Sequence, residues 1–149
     1  MVGGDGAGPG ATGLGGPGAG APAGSPRYLG GEPVGTDLAA RLVALENPHP
    51  GRDYEVICET PELTCVCPVT GAPDFATITI SYVPGDLIVE LKSLKLYLWG
   101  YREQGAYHED VTNRVLNDLV NVVSPRKITV TTDWLVRGGI HTVVRASHP

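Results

Sequence analysis

Polar and apolar residues alternate along much of this chain in the manner of β-strands. Residues 53–59 and 75–83 alternate with the period of two that half-buried strands show, and Pro61 is predicted to end the first of them. Residues 127–136 are rich in β-branched side chains and predict a third strand. A Gly-Gly turn follows, and residues 140–144 predict a fourth strand.

Helical spacing appears between the two strand pairs. Apolar residues recur at helical intervals over 111–123, Glu109 and Asp110 stand at the start, and Ser124-Pro125 ends the pattern. Residues 36–45 predict a short amphipathic helix capped by Thr36 or Asp37. The pattern over 91–102 fits a strand or a helix equally well. The order strand, strand, helix, helix, strand, strand predicts an α+β fold with an antiparallel sheet.

Composition divides the 149 residues into a tail and one domain. Residues 1–32 are rich in Gly, Ala and Pro and are predicted to be disordered, without the features of a secretory signal. Residues 33–149 are enough for one small domain. No apolar run approaches the roughly 20 residues that cross a bilayer.

Charge and cysteine content narrow the class of protein. A net charge of −5 argues against direct nucleic-acid binding through phosphates. Three cysteines, an odd number, with no export signal favour reduced thiols in a cytoplasmic protein.

The most reactive stretch lies between the first two predicted strands. Cys67 and Asp74 flank a segment with Pro68, Gly71 and Pro73, which favours a turn that returns the acid toward the thiol. A thiol is a nucleophile when ionised, and a neighbouring carboxyl group is a candidate acid. Taken singly, each residue also has a structural explanation, as a small core side chain or a turn-forming Asp.

Four motifs together resemble one enzyme family. The octet Glu90-Leu91-Lys92-Ser93-Leu94-Lys95-Leu96-Tyr97 is similar to the signature of NADPH-dependent 7-cyano-7-deazaguanine reductases, the nitrile reductases of queuosine biosynthesis in tRNA. The loop at 67–77, the pair His108-Glu109 and the triplet Arg137-Gly138-Gly139 also resemble that family and occur in the same order. The resemblance spans about residues 52–140.

The resemblance implies a tunnelling fold, related to GTP cyclohydrolase I, with two helices on one face of the sheet. It implies that residues 92–102 form a helix. It also implies a homo-oligomer of stacked rings, expected to be pentamers, with active sites between subunits. Leu135-Val136 stand where the family commonly has Thr-Pro, a departure that bears on how the cofactor is held.

The family's chemistry gives each matching residue an expected role. Cys67 would add to the nitrile of the deazapurine substrate to give a thioimide, Asp74 would supply the proton, and NADPH would supply two hydrides. The residues expected to bind substrate are Val89, Glu90, Leu91, His108 and Glu109. Those expected to bind NADPH phosphates are Lys92, Lys95 and Arg137. No metal site is expected.

Three other interpretations stay open at the level of sequence. A zinc-dependent cyclohydrolase of the same fold would need a paired Cys/His ligand set, and the four histidines are not usefully spaced. A peroxidase-like redox thiol at Cys67 would be typical of a βαβ pattern, which the sequence lacks. A purine-binding oligomer without catalysis would keep the pocket alone.

Overall fold

A computed structural model describes residues 38–149 of the chain. The predicted tail, 1–32, lies outside the described residues, as do Thr36 and Asp37, the predicted helix caps. Within the described part, no helix is long and apolar enough to cross a membrane.

Four long strands pair in one antiparallel sheet, in the order β2-β3-β5-β6. A second, two-stranded sheet joins β1 to β4. The elements in chain order are β1 (Ala44–Glu46), β2 (Val56–Val66), β3 (Pro73–Val83), β4 (Leu87–Val89), α1 (Leu91–Trp99), α2 (His108–Val123), β5 (Lys127–Arg137) and β6 (Ile140–His148), with short 3₁₀ helices at Ala39–Arg41 and Gly100–Glu103.

One face of the four-stranded sheet carries the core. Every second residue of β3, and of β5 as far as Trp134, is buried, as the alternation predicts, and both helices pack against this face. The helix contribution comes from residues at helical spacing, including Val111, Val115 and Leu119 of α2. The predicted α+β order is confirmed, and the segment that was ambiguous by pattern is helical, as α1 and the 3₁₀ helix that follows it.

The predicted helix over 36–45 is wrong in the described part. A 3₁₀ helix occupies only Ala39–Arg41, and the chain then extends into β1. Pairing with β4 explains the difference, because β1 supplies β4 with its hydrogen-bonding partner. The backbone carbonyl of Val43 accepts from the Glu90 N–H at 2.8 Å, which fixes the start of α1 against β1.

Pro61 does not end β2, contrary to the prediction. The strand continues to Val66, and its register with β3 shifts between Thr60 and Leu63, so that the proline falls in a bulge. β2 lies at the edge of the sheet, where a residue without an N–H is tolerated. β6 likewise runs further than predicted, to His148.

Candidate active site

Cys67 stands at the mouth of the β2–β3 hairpin. The loop is closed by two backbone hydrogen bonds: the Cys67 N–H donates to the Ala72 carbonyl at 2.8 Å, and the Gly71 N–H donates to the Cys67 carbonyl at 2.9 Å. Gly71 has a φ of 73°, a conformation that glycine adopts without steric cost. The loop therefore returns β3 directly beside β2, with Cys65 paired to Asp74. The predicted turn brings the acid back toward the thiol.

Hydrogen-bond donors surround the Cys67 sulfur. The Thr70 hydroxyl, then the backbone N–H groups of Thr70 and Val69, lower the pKa of the Cys67 thiol below its ordinary value. The side chain is partly exposed, so a substrate can reach it. A partly exposed thiol that ionises readily has the character of a nucleophile.

The other two cysteines have the opposite character. Burial, together with the nearby Asp74 carboxylate, raises the pKa of Cys65 to about 12. The Cys65 thiol donates to the Ala106 carbonyl at 3.6 Å and ties β2 to the segment before α2. Burial also raises the pKa of Cys58. All three thiols are free, and Cys67 is the one whose pKa is lowered rather than raised.

Asp74 is buried and held from two sides. An Arg137 guanidinium nitrogen lies 2.8 Å from one carboxylate oxygen of Asp74, and His108 Nε2 lies 3.4 Å from the other. The same guanidinium donates to the Pro73 carbonyl. Only 7% of Asp74 is exposed, so that its carboxyl group reaches solvent only through the cleft.

His108 and Glu109 begin α2 beside the cysteine loop. The Val66 N–H donates to the Gln104 carbonyl at 2.9 Å, and the Ala106 N–H donates back to Val66 at 3.1 Å. These two bonds fix the segment before α2 alongside the end of β2. A cleft of about 320 Å³ results, lined by Cys67, Pro68, Thr70, Asp74, Ala106, Tyr107, His108, Glu109 and Arg137.

The remaining predicted residues form a separate group at the start of α1. Both carboxylate oxygens of Glu90 accept backbone N–H groups, from Lys92 at 2.8 Å and from Ser93 at 2.6 Å, and these bonds lower the pKa of Glu90. Glu90 is thus the N-cap of α1. The predicted residues in this group are Val89, Glu90, Leu91, Lys92 and Lys95, and none of them lines the Cys67 cleft of this chain.

Exposure differs sharply within this second group. The Val89 side chain is buried, so only its backbone is placed to meet a ligand. The Leu91 side chain is 63% exposed and is therefore accessible to a ligand. Leu91 and Lys95 line another hollow, between α1 and the β2–β3 pair.

Thr70 is the functional residue that the sequence analysis missed. A hydroxyl three positions after a loop cysteine, in a stretch of turn-forming residues, was the available signal. Pro68 and Tyr107 also line the cleft, and the sequence analysis gave them no role in a site although each adjoins a predicted site residue, Cys67 or His108. Among residues 38–149, no three His, Cys, Asp or Glu side chains are grouped to hold a metal ion, so the described part offers the zinc alternative no ligand set.

Comparison with known proteins shows which families and enzymes the chain is similar to. Residues 73–149 match the model of a family described as QueF-like protein. NADPH-dependent 7-cyano-7-deazaguanine reductase from Thermomicrobium roseum is 59% identical over 113 residues, which cover 76% of this chain and 88% of that protein. The enzyme of the same name from Anaeromyxobacter dehalogenans strain 2CP-C is 60% identical over 113 residues, with 76% and 93% covered.

A solved structure shares the fold. The apo form of an archaeosine synthase QueF-Like superposes with a TM-score of 0.59 at 22% identity, covering 62% of this chain and 91% of the other. This likeness confirms the predicted tunnelling fold. At 22% identity this structural similarity shows the fold alone. The relatives at 59–60% identity show the family. The chain belongs to the family of NADPH-dependent 7-cyano-7-deazaguanine reductases.

Proposed function

We propose that this chain reduces the nitrile of 7-cyano-7-deazaguanine to the primary amine of 7-aminomethyl-7-deazaguanine, with NADPH as reductant, in queuosine biosynthesis. Relatives of 53–60% identity carry the name of this activity. The observation that carries the mechanism is the cleft in which a donor-stabilised thiol, Cys67, and a buried acid, Asp74, occur together.

Cys67 is the nucleophile in this proposal. Its sulfur lone pair forms a bond to the nitrile carbon, and one π pair of the nitrile moves to nitrogen. A proton delivered to that nitrogen gives a neutral thioimide, and without it the anion would expel the thiolate again. The hydrogen bonds from Thr70 and Val69 favour the thiolate form of Cys67 before substrate arrives.

Asp74 is the proton donor. Its carboxyl group lies in the cleft with Cys67, and His108 and Arg137 fix its two oxygens. Once the proton has moved to the nitrile nitrogen, Asp74 is left as the carboxylate that Arg137 and His108 hold. A peroxidase-like thiol or a purine-binding oligomer without catalysis would not explain why Asp74 lies in the same cleft as Cys67.

Substrate recognition falls to carboxylates and a histidine. The deazaguanine ring presents N–H donors on its pyrimidine edge, and a carboxylate accepts from them. Glu109 lines the cleft and is exposed to it. Glu90 has two further lone pairs beyond those that its cap bonds use. Leu91 and the Val89 backbone flank Glu90, and His108 orients the ring in the cleft.

The cationic residues fit NADPH. Arg137 lies half-exposed at the cleft, and its planar guanidinium suits a phosphate. Lys92 and Lys95 stand one turn apart on α1. The described residues contain no βαβ unit, so the dinucleotide binds on side chains rather than on a glycine-rich turn. When bound, NADPH supplies the two hydrides that take the thioimide through an imine to the amine.

The site lies between subunits in this proposal. The recognition residues on α1 do not line the Cys67 cleft of their own subunit, so a neighbour's α1 completes it. Within the described residues, no strand pairs with the outer edge of β2 or of β6. β2 carries the acidic Glu59 and Glu62 and β6 carries the basic Arg145, so the two edges are complementary in charge and suit a ring of copies, here assigned as stacked pentamers. The three free thiols fit a cytoplasmic location.

Trapping the adduct tests the mechanism. Incubation with 7-cyano-7-deazaguanine without NADPH should increase the intact mass by one substrate. Cys67→Ala should abolish the increase, and Cys58→Ala, which removes a thiol of raised pKa, should retain it. An adduct that persists in Cys67→Ala excludes Cys67 as the nucleophile.

A further inference from the structure

Behind the cleft, the indole of Trp134 lies flat against the imidazole of His108. The two ring centroids are 3.8 Å apart, and the planes differ by 3°. Trp134 comes from β5 and is 1% exposed. Rotation of the imidazole about its Cβ–Cγ bond would lift it from the indole, so that the stack holds the orientation in which Nε2 faces Asp74 at 3.4 Å.

A chain of hydroxyl groups holds the indole in turn. The Trp134 N–H donates to Thr132 Oγ1 at 2.8 Å, and Thr132 Oγ1 lies 2.6 Å from Thr112 Oγ1. The Thr112 hydroxyl donates to the His108 backbone carbonyl at 2.9 Å. Both threonines are fully buried.

The direction of every proton in this chain is fixed. An indole N–H can only donate and a carbonyl can only accept. The Thr112 hydroxyl therefore donates its proton to the His108 carbonyl, and the Thr132 hydroxyl must donate to Thr112 Oγ1. The chain therefore starts at the ring that stacks on the imidazole and ends at the carbonyl of the same histidine. Reversal of any one bond would leave a buried polar group without a partner.

We propose that Trp134, held by Thr132 and Thr112, is the positioning residue for His108. It touches neither substrate nor cofactor and acts by fixing the imidazole against Asp74. The inference rests on the proposed function, since His108 is assigned there to orient the substrate. A packing role alone would predict only a less stable protein.

A double-mutant cycle on the reduction rate separates positioning from packing. Thr132→Val removes the hydroxyl and keeps the shape, and Thr132→Ser keeps the hydroxyl. Thr132→Val should lower kcat roughly ten- to a hundred-fold, as a displaced group in an active site does, and Thr132→Ser should keep most of it. In a His108→Ala background, Thr132→Val should cost less than about a further twofold, because the residue it acts through is gone. Thr129→Val, on the opposite face of β5, is the matched control and should leave kcat unchanged.

Equal losses in both backgrounds would overturn the inference, and so would a Thr132→Val enzyme of normal kcat or a His108→Ala enzyme of full activity. Where Thr132→Val fails to assemble, Trp134→Phe runs the same cycle, because it keeps an aromatic ring on His108 and removes the N–H donor. The intact mass of the wild-type protein after incubation with the nitrile distinguishes failure of the positioning role from failure of the proposed mechanism. A normal Cys67 adduct with additive kinetics overturns only the positioning role, whereas an absent adduct overturns the proposed mechanism as well.

Discussion

The Thr70 hydroxyl does most to lower the pKa of the Cys67 thiol, and two backbone N–H groups add to its effect. Backbone donors are set by the loop and survive substitution, whereas the hydroxyl depends on one side chain. Part of the ionisation of Cys67 therefore comes from one replaceable side chain, whose hydroxyl oxygen also accepts the Ala72 N–H at 3.3 Å within the loop. That part controls how much thiolate is present at a given pH.

Thr70→Val should shift the pH dependence of adduct formation to higher pH. Loss of the donor raises the pKa of Cys67, so that the adduct forms more slowly below the pKa and at nearly the wild-type rate well above it. The measurement is the rate of mass increase with the nitrile, without NADPH, as a function of pH. Thr70→Ser keeps the hydroxyl and is the control. Superimposable profiles for Thr70→Val and the wild type would remove Thr70 from the mechanism.

Asp74 and Glu109 line the same cleft but have different proposed roles. Asp74→Asn keeps the shape and loses the acid, so the plateau of single-turnover reduction should fall by roughly two to four orders of magnitude. Glu109→Gln places a donor against substrate N–H groups, so binding should weaken by about 1.5–3 kcal/mol with the plateau largely kept. The measurement is single-turnover reduction at saturating NADPH over a range of nitrile concentrations. A shifted curve with a normal plateau for Asp74→Asn would show that Asp74 only positions the substrate.

At the scale of elements, α1 depends on Glu90 for its first turn. The carboxylate accepts two backbone N–H groups that the helix itself leaves without partners. Those bonds lower the pKa of Glu90 in the folded protein. A depressed carboxyl pKa adds stability above the unfolded-state pKa and loses it as the pH falls through the folded-state pKa.

Glu90→Gln should therefore lower Tm at neutral pH, and the difference from the wild type should shrink as the solution becomes acidic. The amide keeps one acceptor oxygen but loses the charge that the helix N-terminus favours. Thermal unfolding at a series of pH values measures the effect, with Glu46→Gln at the exposed end of β1 as the control for the change in net charge. A Tm difference that stays constant into the acid range would show that the cap does not depend on the carboxylate charge.

Strands and α2 were predictable because their periodicity is local. The alternation over β3 and the helical spacing over α2 need no knowledge of distant residues. β1 and the continuation of β2 past Pro61 were not predictable, since each depends on a partner strand remote in sequence. The same holds in the site: the hairpin turn placed Asp74 near Cys67, whereas the stack of His108 on Trp134 joins residues 26 positions apart.

At the scale of the whole molecule, the predicted site residues fall into two groups on one subunit. Cys67, Asp74, His108, Glu109 and Arg137 share a cleft, and the α1 group lies outside it. Two half-sites on one chain are explained when each cleft faces the α1 of a neighbour. A symmetric ring repeats this contact at every interface, so each subunit gives one half to each of two sites.

Mixed oligomers test this division directly. Cys67→Ala removes the nucleophile from the cleft, and Glu90→Gln weakens recognition from α1 while keeping an acceptor for the cap. Each variant alone should be poorly active. Oligomers co-expressed from both variants, with different tags and purified through both, should regain activity. With random equal mixing, a site is intact when its cleft comes from a Glu90→Gln subunit and its α1 from a Cys67→Ala subunit, so about a quarter of sites recover.

Cys67→Ala paired with Asp74→Asn is the control, because both changes lie in the same half-site and no mixed site is whole. Recovery in the first pair and not in the second is the expected result. Mixed oligomers no more active than the separate variants would show that each subunit holds a complete site of its own.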